Sequence, residues 1–144
     1  MDWFDCACCP PNLSRTISSI EKYITTETGG ELYTHLYLGY EIEFSGFSIK
    51  QTVDFGNICG VSFEIDTSQE AHGAFNFRMP DWAGGCEIYV NDEKIKEPRI
   101  NNGYIKWMDS EKIEICFAMP VLQIAAHPKA RANTGKVAMQ RGPL

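Results

Sequence analysis

Three of the chain's six cysteines lie within four positions of one another, at Cys6, Cys8 and Cys9 in the stretch Trp3-Phe4-Asp5-Cys6-Ala7-Cys8-Cys9-Pro10-Pro11-Asn12. A thiolate is both a soft ligand that zinc favours and a strong nucleophile, so crowded thiols point to metal binding or covalent chemistry. A tetrahedral zinc held by adjacent cysteines needs at least one more protein ligand, and Cys6 is a candidate third. His35, Cys59, His72, Cys86, Cys116 and His127 are scattered singly, without the paired spacing of ligands. Each reads as a packed or hydrogen-bonded side chain rather than a ligand, since free cysteine behaves as a small buried hydrophobe.

The element that must hold these thiols follows them directly. Leu13, Ile17, Ile20 and Ile24 recur at helical spacing, which predicts one helix entered through Pro10-Pro11 and stopped by Gly29-Gly30. Proline is tolerated in a first turn because its missing N–H has no intrahelical partner there, and Asn12 is an alternative cap. Cys8 and Cys9 would then stand at the positive end of the helix dipole, a place that favours an ionised sulfur.

From residue 31 the hydrophobic period changes to two. Leu32, Thr34, Leu36 and Leu38 alternate with Tyr33, His35 and Tyr37, and further alternating runs lie at 41–44, 47–53, 61–65, 75–79 and 86–90. Short runs at 94–96, 104–108, 113–117 and 121–126 continue the series, with Ser45-Gly46, Asn91-Asp92 and Asn101-Asn102-Gly103 as turns. About nine short strands with glycine and proline punctuation predict a mainly β chain, an antiparallel β-sandwich preceded by one N-terminal α-helix. Residues 129–135 read as a linker, and 136–140 as one further strand. Glu41 and Glu43, two apart on a strand, read as a solvated face rather than a paired acid site.

The string Cys6-Ala7-Cys8-Cys9-Pro10-Pro11-Asn12-Leu13-Ser14-Arg15 resembles the cysteine signature of glycoside hydrolase family 127, whose characterised members are β-L-arabinofuranosidases. Phe77-Arg78-Met79-Pro80-Asp81-Trp82-Ala83 resembles a strand-end motif of that family, and Val137-Ala138-Met139-Gln140-Arg141-Gly142-Pro143-Leu144 the start of its final domain. The resemblance implies a retaining mechanism with Cys8 as nucleophile and with Cys8 and Cys9 as zinc ligands; it gives Cys6 no role. It also implies three units: the end of an α/α-barrel catalytic domain (1–28), a β-sandwich (29–128), and a linker with the first strand of a further β domain (129–144). In the family the other zinc ligands and the glutamate general acid lie upstream of the cysteine motif. The expectation is therefore a fragment of a retaining glycosidase, inactive alone for want of its acid. Its partner would be an L-arabinofuranose-containing oligosaccharide, and it would self-associate through the surface that faces the barrel.

Two other readings start from the same residues. A carbohydrate-binding sandwich would use Tyr33, Tyr37, Trp82 or Trp107 as stacking platforms, and a structural zinc or thiol site would fix the first helix without catalysis. Trp3 and Phe4 read as packing residues.

Composition narrows the class. With 44% hydrophobic and 22% charged residues the chain is that of an ordinary folded domain rather than a disordered one. A net charge of −6, with none of the 13 basic residues in a run, argues against nucleic acid. No apolar stretch approaches the ~20 residues of a membrane span, and Met1-Asp2-Trp3 does not begin a signal peptide. Cys8 and Cys9 cannot pair without a strained vicinal ring, so a reducing, cytoplasmic setting is expected.

Overall fold

The structure, a computed structural model, describes residues 8–44, 46–54, 60–66, 73–96, 98–108 and 112–143. Trp3, Phe4, Cys6, Ser45, Cys59 and His72 lie outside the described residues. Two helical segments, α1 (Cys9–Ser18) and α2 (Glu21–Ile24), lead directly into β1 (Thr25–Thr28) and β2 (Glu31–Thr34). The expected single helix is broken because its hydroxyls turn back on the ladder. Thr16 Oγ1 donates to Asn12 O, Ser18 Oγ to Ser14 O and Ser19 Oγ to Arg15 O, a back-bonding that loosens a helix. At Ser19 (φ −121°, ψ 7°) the helix gives way, and Lys22 N–H and Tyr23 N–H then bond three residues back.

Gly29-Gly30 also departs from expectation. With φ of 61° and 77° the pair forms the tight turn of a β1–β2 hairpin, where Thr28 faces Glu31, rather than stopping a helix. The threonines of 25–28, branched at Cβ, favour this extended form.

The strands build two sheets. One runs β1-β2-β6-β10-β9, with β6 (Ala74–Arg78), β9 (Ile100–Asn101) and β10 (Tyr104–Met108). The other runs β3-β4-β5-β11-β7-β8, with β3 (Tyr40–Phe44), β4 (Phe47–Asp54), β5 (Gly60–Asp66), β7 (Cys86–Val90), β8 (Glu93–Ile95) and β11 (Lys112–Phe117). Pairing is antiparallel throughout except between β2 and β6, which run parallel with Leu32 opposite Phe75. The expected hairpin turns are in place. Phe44 faces Phe47 around Gly46 (φ 86°), and Asn91-Asp92 and Asn102-Gly103 take the positive φ values of tight two-residue turns.

The sheets meet face to face through rings and branched chains. Phe63 lies 4.2 Å, centroid to centroid, from Phe77 and Phe47 lies 5.4 Å from Phe75, joining the two layers. Ile49, Ile88, Ile105, Ile113 and Ile115 fill the space around them. Each such buried side chain contributes about 1.5–3 kcal/mol of transfer free energy. Three polar residues are buried among those described, each with partners. Gln51 Oε1 accepts from the N–H groups of Leu38 (3.1 Å) and Gly39 (3.3 Å), and its Nε2 donates to Leu36 O. This amide stands in for the ladder where the expected 32–38 strand ends early, at Thr34. Thr34 pairs with the Tyr40 hydroxyl (2.9 Å), and Asn76 donates to Glu31 Oε2 (2.9 Å).

Gly73 packs closely against this core. A Cβ there would come within 3.0 Å of the Phe47 ring and 3.7 Å of Phe44. Gly73→Ala is expected to cost about 1–3 kcal/mol by overpacking. In urea this should read as a lower midpoint with an unchanged slope.

β12 (Val121–Ala125) does not join the sandwich. It pairs with β13 (Val137–Arg141) in a separate two-stranded ribbon, Gln123 opposite Met139. The stretch between them is a hairpin connection with a short 3-10 turn at Arg131–Asn133. The ribbon is tied back at Gly142 (φ 56°), where a Cβ would run into the Met119 thioether and lie 3.6 Å from the Trp82 ring. Two of the three motifs singled out in the sequence, 77–83 and 137–144, therefore meet. No helix among the described residues is long and apolar enough to cross a membrane.

Candidate active site

Cys8 immediately precedes α1 and Cys9 opens it, with the two prolines completing the first turn. Asn12 is not the cap. Its N–H bonds to Cys8 O (3.3 Å) within the helix, and its side chain accepts from Arg15 (3.2 Å). No side chain caps the helix, and because Pro10 and Pro11 carry no N–H and Asn12 N–H bonds to Cys8 O, the first turn leaves few amide donors to satisfy.

Both thiols are exposed and reduced, with their sulfurs 3.6 Å apart. Two thiolates on one tetrahedral zinc, each at ~2.3 Å, stand about 3.8 Å apart, so this pair is spaced for a single ion. Among the described residues no group of three or more His, Cys, Asp or Glu side chains comes together. The pair fits half of a zinc site. A zinc ion held here would need two further ligands from other residues.

The other candidates are occupied structurally. Cys86 is half-buried against the core, and burial pushes its thiol up. His35 Nδ1 bonds to the Tyr104 hydroxyl (2.7 Å) and Nε2 to Thr26 Oγ1 (2.9 Å), which pins β1, and with it the cysteine arm, to β10. Its neutral form persists further down in pH than a free imidazole's, through burial first and then the nearby Arg78 guanidinium. His127 is exposed and takes the Lys129 N–H (3.2 Å). Glu41 and Glu43 point outward from β3 as a solvated face.

The proposed stacking aromatics are likewise engaged in packing. Trp82 stands edge-on to Phe117 (5.5 Å), Tyr37 lies against Phe117 (5.3 Å) and donates its hydroxyl to Arg78 O, and Tyr33 meets Tyr104 edge-on (5.4 Å). Trp107 packs half-buried against the core.

Sequence reasoning missed a network on the outer face of the five-stranded sheet. Glu31 receives Lys106, Asn76 and the Tyr33 hydroxyl. The Lys106 ammonium, then the Asn76 amide, hold the Glu31 carboxyl below the usual carboxylate range. A carboxyl whose folded value is depressed stabilises the fold above its ordinary titration range, and that stability is lost as pH falls through the lowered value. Glu31→Gln should therefore be less stable than the parent at neutral pH, with the gap closing below about pH 4. Thermal melts across pH 3–7 check this; a gap that widens with acid would contradict the network.

Comparison with known proteins agrees with this architecture. Residues 31–119 match the family described as β-L-arabinofuranosidase, GH127 middle domain. A non-reducing end β-L-arabinofuranosidase of Bifidobacterium longum subsp. longum is 30% identical over all of this chain and 23% of its own length. The crystal structure of a GH127 β-L-arabinofuranosidase from Geobacillus stearothermophilus T6 superposes with a TM-score of 0.81 at 39% identity, over 99% of this chain and 24% of that one. A solved GH127 β-arabinofuranosidase gives 0.78 at 25% identity, over 99% of this chain and 26% of that one. This chain thus spans about a quarter of the length of such relatives. Its match to the middle-domain model, carried by a two-sheet sandwich behind a cysteine-bearing helix, makes the chain a member of glycoside hydrolase family 127.

Proposed function

We propose that this chain is the cysteine-bearing part of a retaining β-L-arabinofuranosidase, with Cys8 as nucleophile and Cys8 and Cys9 as ligands of a zinc ion. The observation that carries the reading is the exposed sulfur pair, 3.6 Å apart at an uncapped helix start, in a chain of this family. Zinc, when bound, keeps coordinated sulfur deprotonated at neutral pH. Cys8 Sγ then attacks the anomeric carbon from the face opposite the aglycone, forming a carbon–sulfur bond as the carbon–oxygen bond to the leaving group breaks. An acid supplies the proton to the departing oxygen. Water, activated by the same group as a base, attacks the anomeric carbon in turn and frees the thiolate, so two inversions give retention.

Among the described residues no third possible metal ligand joins the pair, so on this reading the chain alone should turn over little or no substrate. The rest of the site belongs to polypeptide of the family outside this span. Leu13 and Ile17, each more than 60% exposed one turn apart on α1, make the stripe on which that polypeptide would rest. Without it, the stripe favours self-association. On this reading the helical arm ends the catalytic barrel, the sandwich supports it, and the ribbon begins a further β unit. A reducing compartment such as the cytoplasm is the setting this reading expects for a thiolate nucleophile.

The test uses an aryl β-L-arabinofuranoside. This chain alone should show no hydrolysis, while a polypeptide joining it to the rest of a GH127 chain should release the aglycone with retained configuration and lose that activity to a zinc chelator. Retained activity in the chelated enzyme, or inversion, would refute the reading. A purely structural zinc site would instead give bound metal with no hydrolysis in the joined polypeptide.

A further inference from the structure

No loop separates the cysteine-bearing helices from the sandwich. Backbone bonds run on from α1 through α2, from Ser19 N–H to Thr16 O, Ile20 N–H to Ile17 O, Lys22 N–H to Ser19 O and Tyr23 N–H to Ile20 O, and β1 follows Ile24 at once. Whatever holds the first residues of β1 therefore sets the direction of the helical arm. β1 has four residues paired with β2, and a hairpin of that length is marginal by itself.

His35 supplies a second hold, across the strands rather than along them. Its N–H and that of Leu36 both reach Ile24 O, at 2.8 and 3.3 Å, which carries the β1–β2 ladder one residue into the arm. Its ring bonds Thr26 Oγ1 of β1 through Nε2 (2.9 Å) and the Tyr104 hydroxyl of β10 through Nδ1 (2.7 Å). In the sheet order β1-β2-β6-β10 this one side chain ties the first strand to the fourth. Tyr104 is braced in turn, edge-on to the His35 ring (5.8 Å) and to Tyr33 (5.4 Å). A rigid ring whose nitrogens point apart suits such a bridge, because in its neutral form one nitrogen donates and the other accepts.

We propose that His35 is a positioning residue for the cysteine site, fixing the angle at which the helices bearing Cys8 and Cys9 leave the sandwich. The angle follows from these contacts; its catalytic consequence rests on the function proposed above. The joint is also sensitive to acid. A second proton makes both nitrogens donors, so neither hydroxyl can then donate to the ring, and burial first and the Arg78 guanidinium second disfavour the cation. Around it, Glu31 of β2 and Lys106 of β10 are bonded to each other, Glu27 of β1 lies on the Leu32 side of the sheet, and α2 carries Glu21 and Lys22. A histidine whose folded value is lowered stabilises above its ordinary range, and that contribution is lost as pH falls through the lowered value, so the joint loosens below about pH 6.5.

Residual dipolar couplings on the 144-residue chain report the angle. At neutral pH one alignment frame should fit the amides of α1 together with those of β4, β5 and β11. His35→Ala should shrink the α1 couplings at least twofold against the strands, with hydrogen exchange of the core amides 61–65 unchanged. His35→Gln keeps a donor and an acceptor but does not titrate, so it should recover part of the couplings and hold them at about pH 5, where the parent loses them. In a GH127 polypeptide that carries this span, His35→Ala should lower kcat at least fivefold with zinc still bound, and His35→Gln should restore part of it. Couplings in α1 that ignore His35→Ala would overturn the proposal, as would an unchanged kcat in an active polypeptide. A polypeptide inactive before any exchange would sink the catalytic reading and leave the couplings to decide the angle. Where His35→Ala fails to fold, the acid titration of the parent supplies the same contrast, and α1 couplings constant down to about pH 5 would refute the joint.

Discussion

Cys8→Ser, made in a GH127 polypeptide that carries this span, is expected to lower kcat at least about a thousandfold, the scale on which removal of a covalent nucleophile acts. Serine keeps the shape but presents a hydroxyl, which is not ionised at neutral pH and is a poor zinc ligand. Cys9→Ser should behave differently. On the proposed roles it leaves the nucleophile in place beside α1 and removes a ligand, so activity should fall but return in part as zinc is raised. The sulfurs stand side by side and both are exposed, so the two exchanges are what would tell the proposed roles apart. Intact mass after a slow aryl substrate provides the direct readout, a glycosyl adduct on Cys8 present in Cys9→Ser and absent from Cys8→Ser. If zinc rescues Cys8→Ser and not Cys9→Ser, the roles are exchanged.

The second large effect belongs to the core. Phe63 has no exposed surface, packs on Phe77 at 4.2 Å across the two sheets and meets Tyr37 edge-on at 6.3 Å. Phe63→Ala should cost about 3–5 kcal/mol, transfer and cavity together. Against a total stability of roughly 5–15 kcal/mol for a domain, that removes a large share. The melting temperature should drop by on the order of 10 °C or more. Leu38→Ala, at an exposed position, should change stability by less than about 0.5 kcal/mol. Comparable losses in the two variants would mean that the sheets do not pack through Phe63.

Most of the sandwich was legible in the sequence because its signals are local. Alternation at 47–53 and 61–65 reports which side chains face inward, and Asn91-Asp92 and Asn102-Gly103 reveal their turns because few residues accept a positive φ. The cysteine pair was legible for the same reason, as a cluster of one reactive type at a helix start. What escaped depended on partners far along the chain or on competition between local signals. Gly29-Gly30 serves a helix stop and a hairpin equally well, and the threonines of β1 decided the matter only once β2 was there to pair with them. The isoleucine spacing of α1 and α2 gave no sign that Thr16, Ser18 and Ser19 would turn their hydroxyls on the ladder. β12 reads as a sandwich strand by alternation, yet its partner is β13. The network around Glu31 joins side chains from β2, β6 and β10, and no window of sequence contains it.

The parallel pairing of β2 with β6 governs the order in which the molecule can assemble. β2 lies at the start of the sandwich and must wait for β6, about forty residues later, before its second edge is satisfied. Hairpins such as β3–β4 and β7–β8 close over a few residues and cost little loop entropy, whereas this contact closes a long loop and forms late. Until it does, the β1–β2 hairpin has no sheet to join, and the helix that carries Cys8 and Cys9 has no fixed direction. The cysteine-bearing helix is thus among the last parts of this span to be aimed, although the hairpin it leads into closes early.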